Sequence, residues 1–227
     1  TWTGTFTPTD HIEDVTNVIT VGTDLTDSSG NAPLSGASTV NYTIDTIEPV
    51  ILSVTLSDSE LMIGDTAILT ISFSEAVTAF ASDDSKLANG TVSTIGSSDG
   101  GVTWTGTFTP ADDIEDASNV ITVETTLTDT AGNAPLSSAS TSNYTIDTAE
   151  PVISSVTMSD YALLVGETST VTISFSEAVT AFDNADITLA NGTLGAISSA
   201  DSGVTWTGTF TPTADIGLAT PLSSVEA

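Results

Sequence analysis

The octapeptide TWTGTFTP occurs three times, at residues 1–8, 103–110 and 205–212, so Trp2, Trp104 and Trp206 stand 102 residues apart. A fixed interval of this kind marks a tandem array, in which each repeat is one supersecondary module. Within the octapeptide, Trp104, Gly106 and Phe108 alternate with Thr103, Thr105, Thr107 and Thr109. A period of two describes a strand with one apolar face and one hydroxyl face. Such half-buried strands belong to antiparallel sheets. One strand cannot cover its own apolar face, so the rest of each repeat must supply its partners.

Residues 1–47 align without a gap with 103–149, and residues 48–110 with 150–212. The expected organisation is therefore the C-terminal part of a repeat at 1–47, a complete repeat at 48–149, and the N-terminal part of a third at 150–227. This last part diverges after residue 216, where GLATPLSSVEA replaces the expected EDASNVITV. Without its last two strands it is expected to leave an unsealed core and open sheet edges. Residues 1–47 carry those strands, so strand addition between molecules is conceivable from the sequence alone. The chain begins inside a repeat, without Met, and reads as a stretch of a longer array.

In the complete repeat, alternation predicts strands at residues 50–57, 67–74, 91–95, 103–110, 120–128 and 142–146, with short pieces at 61–64 and 86–88. Acidic loops are expected at 79–85 and 111–118, and Asn89-Gly90 is a strong hairpin turn. Short strands with turns every 8–12 residues indicate an all-β sandwich. Ser and Thr make up roughly a third of the chain, a composition that could suit disorder. The inward alternation of Val171, Ile173 and Phe175 argues instead for a folded sheet.

Thirty Asp and Glu face one basic side chain, Lys86, for a net charge of −29. Nucleic acid and anionic membrane surfaces are poor partners for such a chain. No cysteine is present, which excludes disulfides and thiolate metal sites. No apolar run approaches the length of a membrane span, and no signal peptide is visible. Enzyme chemistry is also poorly supplied. The single His11 becomes Asp113 one repeat later, and a nucleophile with its base is missing.

The pieces ID-T-x-EPV, VGET-x-TVTISFSEAV, ANGTL, DGGVTWTGTFTP and TDTAGNAP, in this order, resemble bacterial immunoglobulin-like repeats. Such repeats build very large surface adhesins, including RTX-type and biofilm-associated ones. The resemblance covers nearly all of the chain up to Ile216. It implies tandem immunoglobulin-like β-sandwich repeats of 102 residues, an extended array, an extracellular or cell-surface location, and calcium at domain junctions.

Topology gives the acids an independent reading. Alternate loops of an antiparallel sandwich fall at opposite poles. The linker acids Asp45 and Glu48 are thus expected at the pole that receives Glu75, Asp83 or Asp84, Asp129 and Asn133, with Asp10, Glu13 and Asp14 approaching from the preceding repeat. One period later the set is Asp147, Glu150, Glu177 and Asp186, faced by Asp112, Asp113, Glu115 and Asp116. Calcium takes six to eight oxygen ligands from carboxylates, amides and backbone carbonyls, whereas magnesium demands stricter geometry. No EF-hand loop is present, so ligands must converge from several segments. The predicted metal ligands are Asp45, Glu48, Glu75, Asp84, Asp129, Asn133, Asp147, Glu150, Glu177 and Asp186. The competing readings are solvated acidic poles, and Asp129 and Asn133 as formers of their own turn. Trp104 is expected in the core, and Asn89 and Asn191 serve as turn residues although both lie in N-x-Thr sequons.

The expected function is a structural spacer of a secreted or surface adhesin, stiffened by calcium between domains. Its expected partners are neighbouring repeats of the same chain and, through the parent protein, host, inert or cellular surfaces. The alternative is a module that itself grips glycan or a surface.

Overall fold

A computed structural model describes residues 1–214; the divergent segment after residue 216 lies outside the described residues. The chain divides into two units, Thr1–Ala149 and Glu150–Ala227.

The first unit begins with a partial repeat: β1 (Glu13–Asn17), β2 (Thr20–Val21), β3 (Ala37–Ser38) and β4 (Tyr42–Asp45). β1 pairs with β4, and β2 with β3, all antiparallel. The complete repeat follows as β5 (Ile51–Leu56), β6 (Glu60–Met62), β7 (Ala67–Phe73), β8 (Val77–Thr78), β9 (Ser85–Lys86), β10 (Gly90–Val92), β11 (Gly96–Ser97) and β12 (Thr103–Pro110). It ends with β13 (Glu115–Asn119), β14 (Thr122–Val123), β15 (Thr128–Asp129), β16 (Ala139–Ser140) and β17 (Tyr144–Asp147).

Two layers form. One is the sheet β10-β12-β7-β5, with β11 also on β12. The other comprises two three-stranded sheets, β13-β17-β6 and β16-β14-β9, and β6 runs parallel to β17. The alternation in β7 sends Ala67, Leu69, Ile71 and Phe73 inward, each 1 % exposed or less. Gly106 and Phe108 of β12 are buried beside them, and Ile121, Val123, Tyr144 and Ile146 close the core from the second layer. Burying side chains of this size stabilises a domain by about 1.5–3 kcal/mol each. Trp104 packs at the edge of this core, edge-on to Phe80 at 5.6 Å, and its Nε1 donates to Gly101 O at 2.9 Å. The turn at Asn89-Gly90 is as expected: Asn89 has φ 57°, and a Cβ on Gly90 would meet the Phe108 ring at 2.5 Å.

The second unit contains β18 (Ile153–Met158), β19 (Ser169–Phe175), β20 (Gly192–Leu194), β21 (Ser198–Ser199) and β22 (Thr205–Pro212). They form the sheet β18-β19-β22-β20, with Ile173 opposite Trp206 as Ile71 is opposite Trp104.

Three sequence expectations need correction. The acidic segment 111–118 is not all loop, because β13 occupies Glu115–Asn119 and pairs with β17. The expected strand at 120–128 is therefore earlier and broken, with a register shift between Asp116 and Asn119. The first octapeptide, at 1–8, forms no strand, and Trp2 is fully exposed. β12 is held by β7, β10 and β11, whose counterparts do not occur among residues 1–47.

Candidate metal centre

Three separated segments of the first unit bring acids to one pole of the sandwich. Asp45 closes β4, in register with Glu13 of β1. Glu75 lies two residues past the end of β7. Asp129 ends β15 and opens the loop Asp129-Thr130-Ala131-Gly132-Asn133.

That loop folds around its first carboxylate. Asp129 Oδ1 accepts from the backbone N–H of Ala131, Gly132 and Asn133 at 2.8, 2.7 and 2.9 Å. Its Oδ2 accepts from Asn133 Nδ2 at 2.9 Å. Gly132 supplies the positive φ, 98°, that the tight turn requires. Asn133 Nδ2 also donates to Asp45 O at 3.2 Å, tying the loop to the linker. The loop is local in origin: the partial repeat builds it again around Asp27, which accepts from the N–H of Ser29 and Asn31 at 2.9 Å each.

Single carboxylate oxygens of Asp45, Glu75 and Asp129 all lie within 4.8 Å of one another. Asp129 is 3 % exposed. Burial raises its pKa, but the hydrogen bonds from Asn133, Gly132 and Ala131 outweigh burial and leave it below the usual carboxylate value. Glu75 goes the other way. Burial pushes its pKa up, and the negative charges of Asp45, Asp129 and Glu13 push it further. The pole thus holds one carboxylate whose ionised form is favoured by hydrogen bonds beside another whose ionised form is disfavoured by burial and like charge. The donor set is all oxygen, which suits a hard cation and not zinc.

The remaining predicted ligands are placed otherwise. Glu48 Oε2 lies 3.7 Å from His11 Nδ1, on the linker. Asp84 ends a short 3₁₀ turn, Ser82–Asp84, where its Oδ2 accepts from Ala81 N at 3.0 Å and its Oδ1 from Thr126 Oγ1 at 2.7 Å. Asp147 closes β17 opposite Glu115, as Asp45 closes β4 opposite Glu13. Glu150, Glu177 and Asp186 belong to the second unit, where Asp186 Oδ2 accepts from Asp183 N at 2.9 Å. Glu13, expected to approach this pole from the preceding repeat, stands opposite Asp45 in the β1–β4 register.

A depression of about 480 Å³ beside β9 and β10 holds a single carboxylate, Asp83, next to Lys86. One carboxylate cannot supply the acid–base pair of a glycosidase. Among the described residues, no helix is long and apolar enough to cross a membrane.

Two antiparallel-rich layers, short strands and loop-borne polar residues at the poles define a tandem immunoglobulin-like sandwich protein. The sequence model of the bacterial Ig-like domain matches residues 45–146 and again 147–227, and the chain belongs to that family. The two matches begin 102 residues apart, three residues ahead of the boundaries read from the sequence. No match was found among curated proteins or among solved structures.

Proposed function

We propose that this chain is a run of structural spacer repeats from a secreted or cell-surface adhesin, and that calcium at the meeting point of linker and sandwich stiffens the array. The role is non-enzymatic, and the partners are neighbouring repeats of the same chain. The adhesin supplies contact with host or other surfaces through its other parts.

The observation that carries this reading is the convergence of Asp45, Glu75 and Asp129, one from the linker and two from the sandwich. Without a cation their like charges push the linker away from the sandwich. With a divalent cation the same charges become ligands, and the linker is drawn against β7 and β15. Glu13, in register opposite Asp45, would add a further carboxylate to that shell. Affinity is expected near 10⁻⁴–10⁻³ M, as for extracellular calcium modules.

Calorimetric titration of calcium into the full chain, with a parallel melt, tests the metal. Saturable heat and a rise in Tm are expected, since a ligand that binds only the folded state stabilises it. No heat and no shift would remove calcium from the reading and leave the spacer. Small-angle scattering tests stiffening: a maximum dimension unchanged by calcium would sink it.

A further inference from the structure

We infer that the depression beside β9 and β10 receives a primary carboxamide, the side chain of an asparagine on a partner polypeptide, a contact beyond the spacer role. The second unit shows how such a group fits. There Asn184 opens the 3₁₀ turn Asn184–Asp186. Its Nδ2 donates to Leu194 O and Gly195 O at 3.0 Å each, and its Oδ1 accepts from Ile197 N at 3.1 Å. Both amide hydrogens and the oxygen of one side chain are used.

The complete repeat keeps the receiving backbone and lacks the amide. β10 and β11 pair with β12 in the register that β20 and β21 hold with β22. The turn is kept as well: Asp84 Oδ2 accepts from Ala81 N at 3.0 Å, and Asp186 Oδ2 from Asp183 N at 2.9 Å. Ser82 stands where Asn184 does. A serine hydroxyl ends one bond short of an amide nitrogen and has one hydrogen to donate. The gap between Ser82 and Val92 stays open as the depression of about 480 Å³. Among the described residues, Ser93 O and Ile95 N have no hydrogen-bond partner, whereas their counterparts Gly195 O and Ile197 N are met by Asn184. Ile95 is 7 % exposed, and a buried N–H left unpaired is costly.

A second polar group at the same place is also unmet. Ser85 is 8 % exposed, lines the depression, and its Oγ has no hydrogen-bond partner. Its counterpart is Ile187, which has no hydroxyl to satisfy. Five of the six residues at 81–86 differ from those at 183–188, and only Asp84, which holds the turn, is kept as Asp186. Leu87 and Val92 give the methylene of an asparagine an apolar wall, and Asp83 and Lys86 offset each other in charge, which suits a neutral head group. A secondary amide, such as that of an acetamido sugar, has one N–H and would leave one of the two carbonyls unmet.

Amide NMR of the isotope-labelled full chain, titrated with N-acetyl-asparagine methylamide, is the test. Saturable shifts are expected at Ser82, Ser85, Ser93 and Ile95, and not at residues 184–197, where Asn184 already fills the place. The isosteric N-acetyl-aspartate methylamide offers no amide hydrogens from its side chain and should bind about tenfold more weakly. Ser82→Asn should close the site with its own side chain, abolish the shifts and raise Tm of the first unit. The fold accepts that change, since the second unit carries asparagine at the same point of the same turn. No saturable shift with the asparagine probe overturns the inference. So does an equal response to the aspartate probe, a Ser82→Asn chain that still binds, or a site that takes N-acetylglucosamine and refuses the asparagine probe.

Discussion

Residues 48–110 and 150–212 align without a gap and build the same five-stranded sheet in the same register, yet Phe108 is fully buried and Phe210 only half-buried. The sheet needs nothing beyond its own hairpins and the long pairing of β7 with β12 or β19 with β22. Burial, and the strands β6, β8 and β9, depend on partners that arrive later in the chain. In these repeats one layer is local in origin and the other is conferred.

The sharpest way to break this comparison is at its aromatic pair. Phe108→Ala should cost the first unit about 3–5 kcal/mol, the usual range for a buried Phe. Phe210→Ala, in dilute chain, should cost the second unit much less. Residue-resolved hydrogen exchange under denaturant reads the two separately, and equal losses would end the claim that the second layer sets burial. Leu61→Ala against Leu163→Ala is the next test. Leu61 is 1 % exposed, so about 2–5 kcal/mol is expected there. Leu163 lies in no strand and should give a smaller loss.

Glu75→Gln tests the pole. Two unit charges 4 Å apart repel by about 1 kcal/mol in water, so relief of that order is expected without calcium. Tm of the first unit should rise in calcium-free buffer, and its response to calcium should shrink. The pH dependence has a definite sign. Glu75 has a raised pKa when folded, so its ionisation costs stability above that value, and stability returns as pH falls through it. Asp129 has a lowered pKa, so its contribution is present above the unfolded value and lost as pH falls through the folded one. The substitution should flatten the upper limb of the stability profile and leave the acid limb in place. The smallest effect is expected from Lys86→Ala. Its Nζ lies 2.9 Å from Glu124 Oε1, but the lysine is exposed, and such pairs contribute about 0.2–1 kcal/mol.

Alternation revealed what is local. The predicted strands 67–74 and 103–110 match β7 and β12 within a residue. It could not reveal β13, whose sequence EDASN has no apolar face. That strand is anchored instead by Asn119, 3 % exposed, whose Nδ2 donates to Asp116 O at 2.9 Å and Tyr144 O at 3.3 Å. A polar residue held in part by a carbonyl 25 residues away leaves no apolar alternation in its own strand. The pole was read with similar limits. Loop topology alone placed Asp45, Glu75, Asp129 and Asn133 on one side. It could not foresee that Asp84 would spend its carboxylate on the Ala81 amide, or that Glu48 would turn to a histidine absent from the next repeat.

The parallel pairing of β6 with β17 has a mechanical consequence. β6 lies near the start of the complete repeat and β17 at its end, three rungs side by side and pointing the same way. Tension applied through the two ends of residues 48–149 pulls these strands past each other along their length. Their hydrogen bonds, with that of the Thr145 amide to Ser59 O at 2.9 Å, are then loaded together and not peeled one after another. A repeat built this way resists stretching until it yields abruptly. The second unit shows no such rungs among its described residues, and its sheet should give way at lower force in a single-molecule pulling experiment.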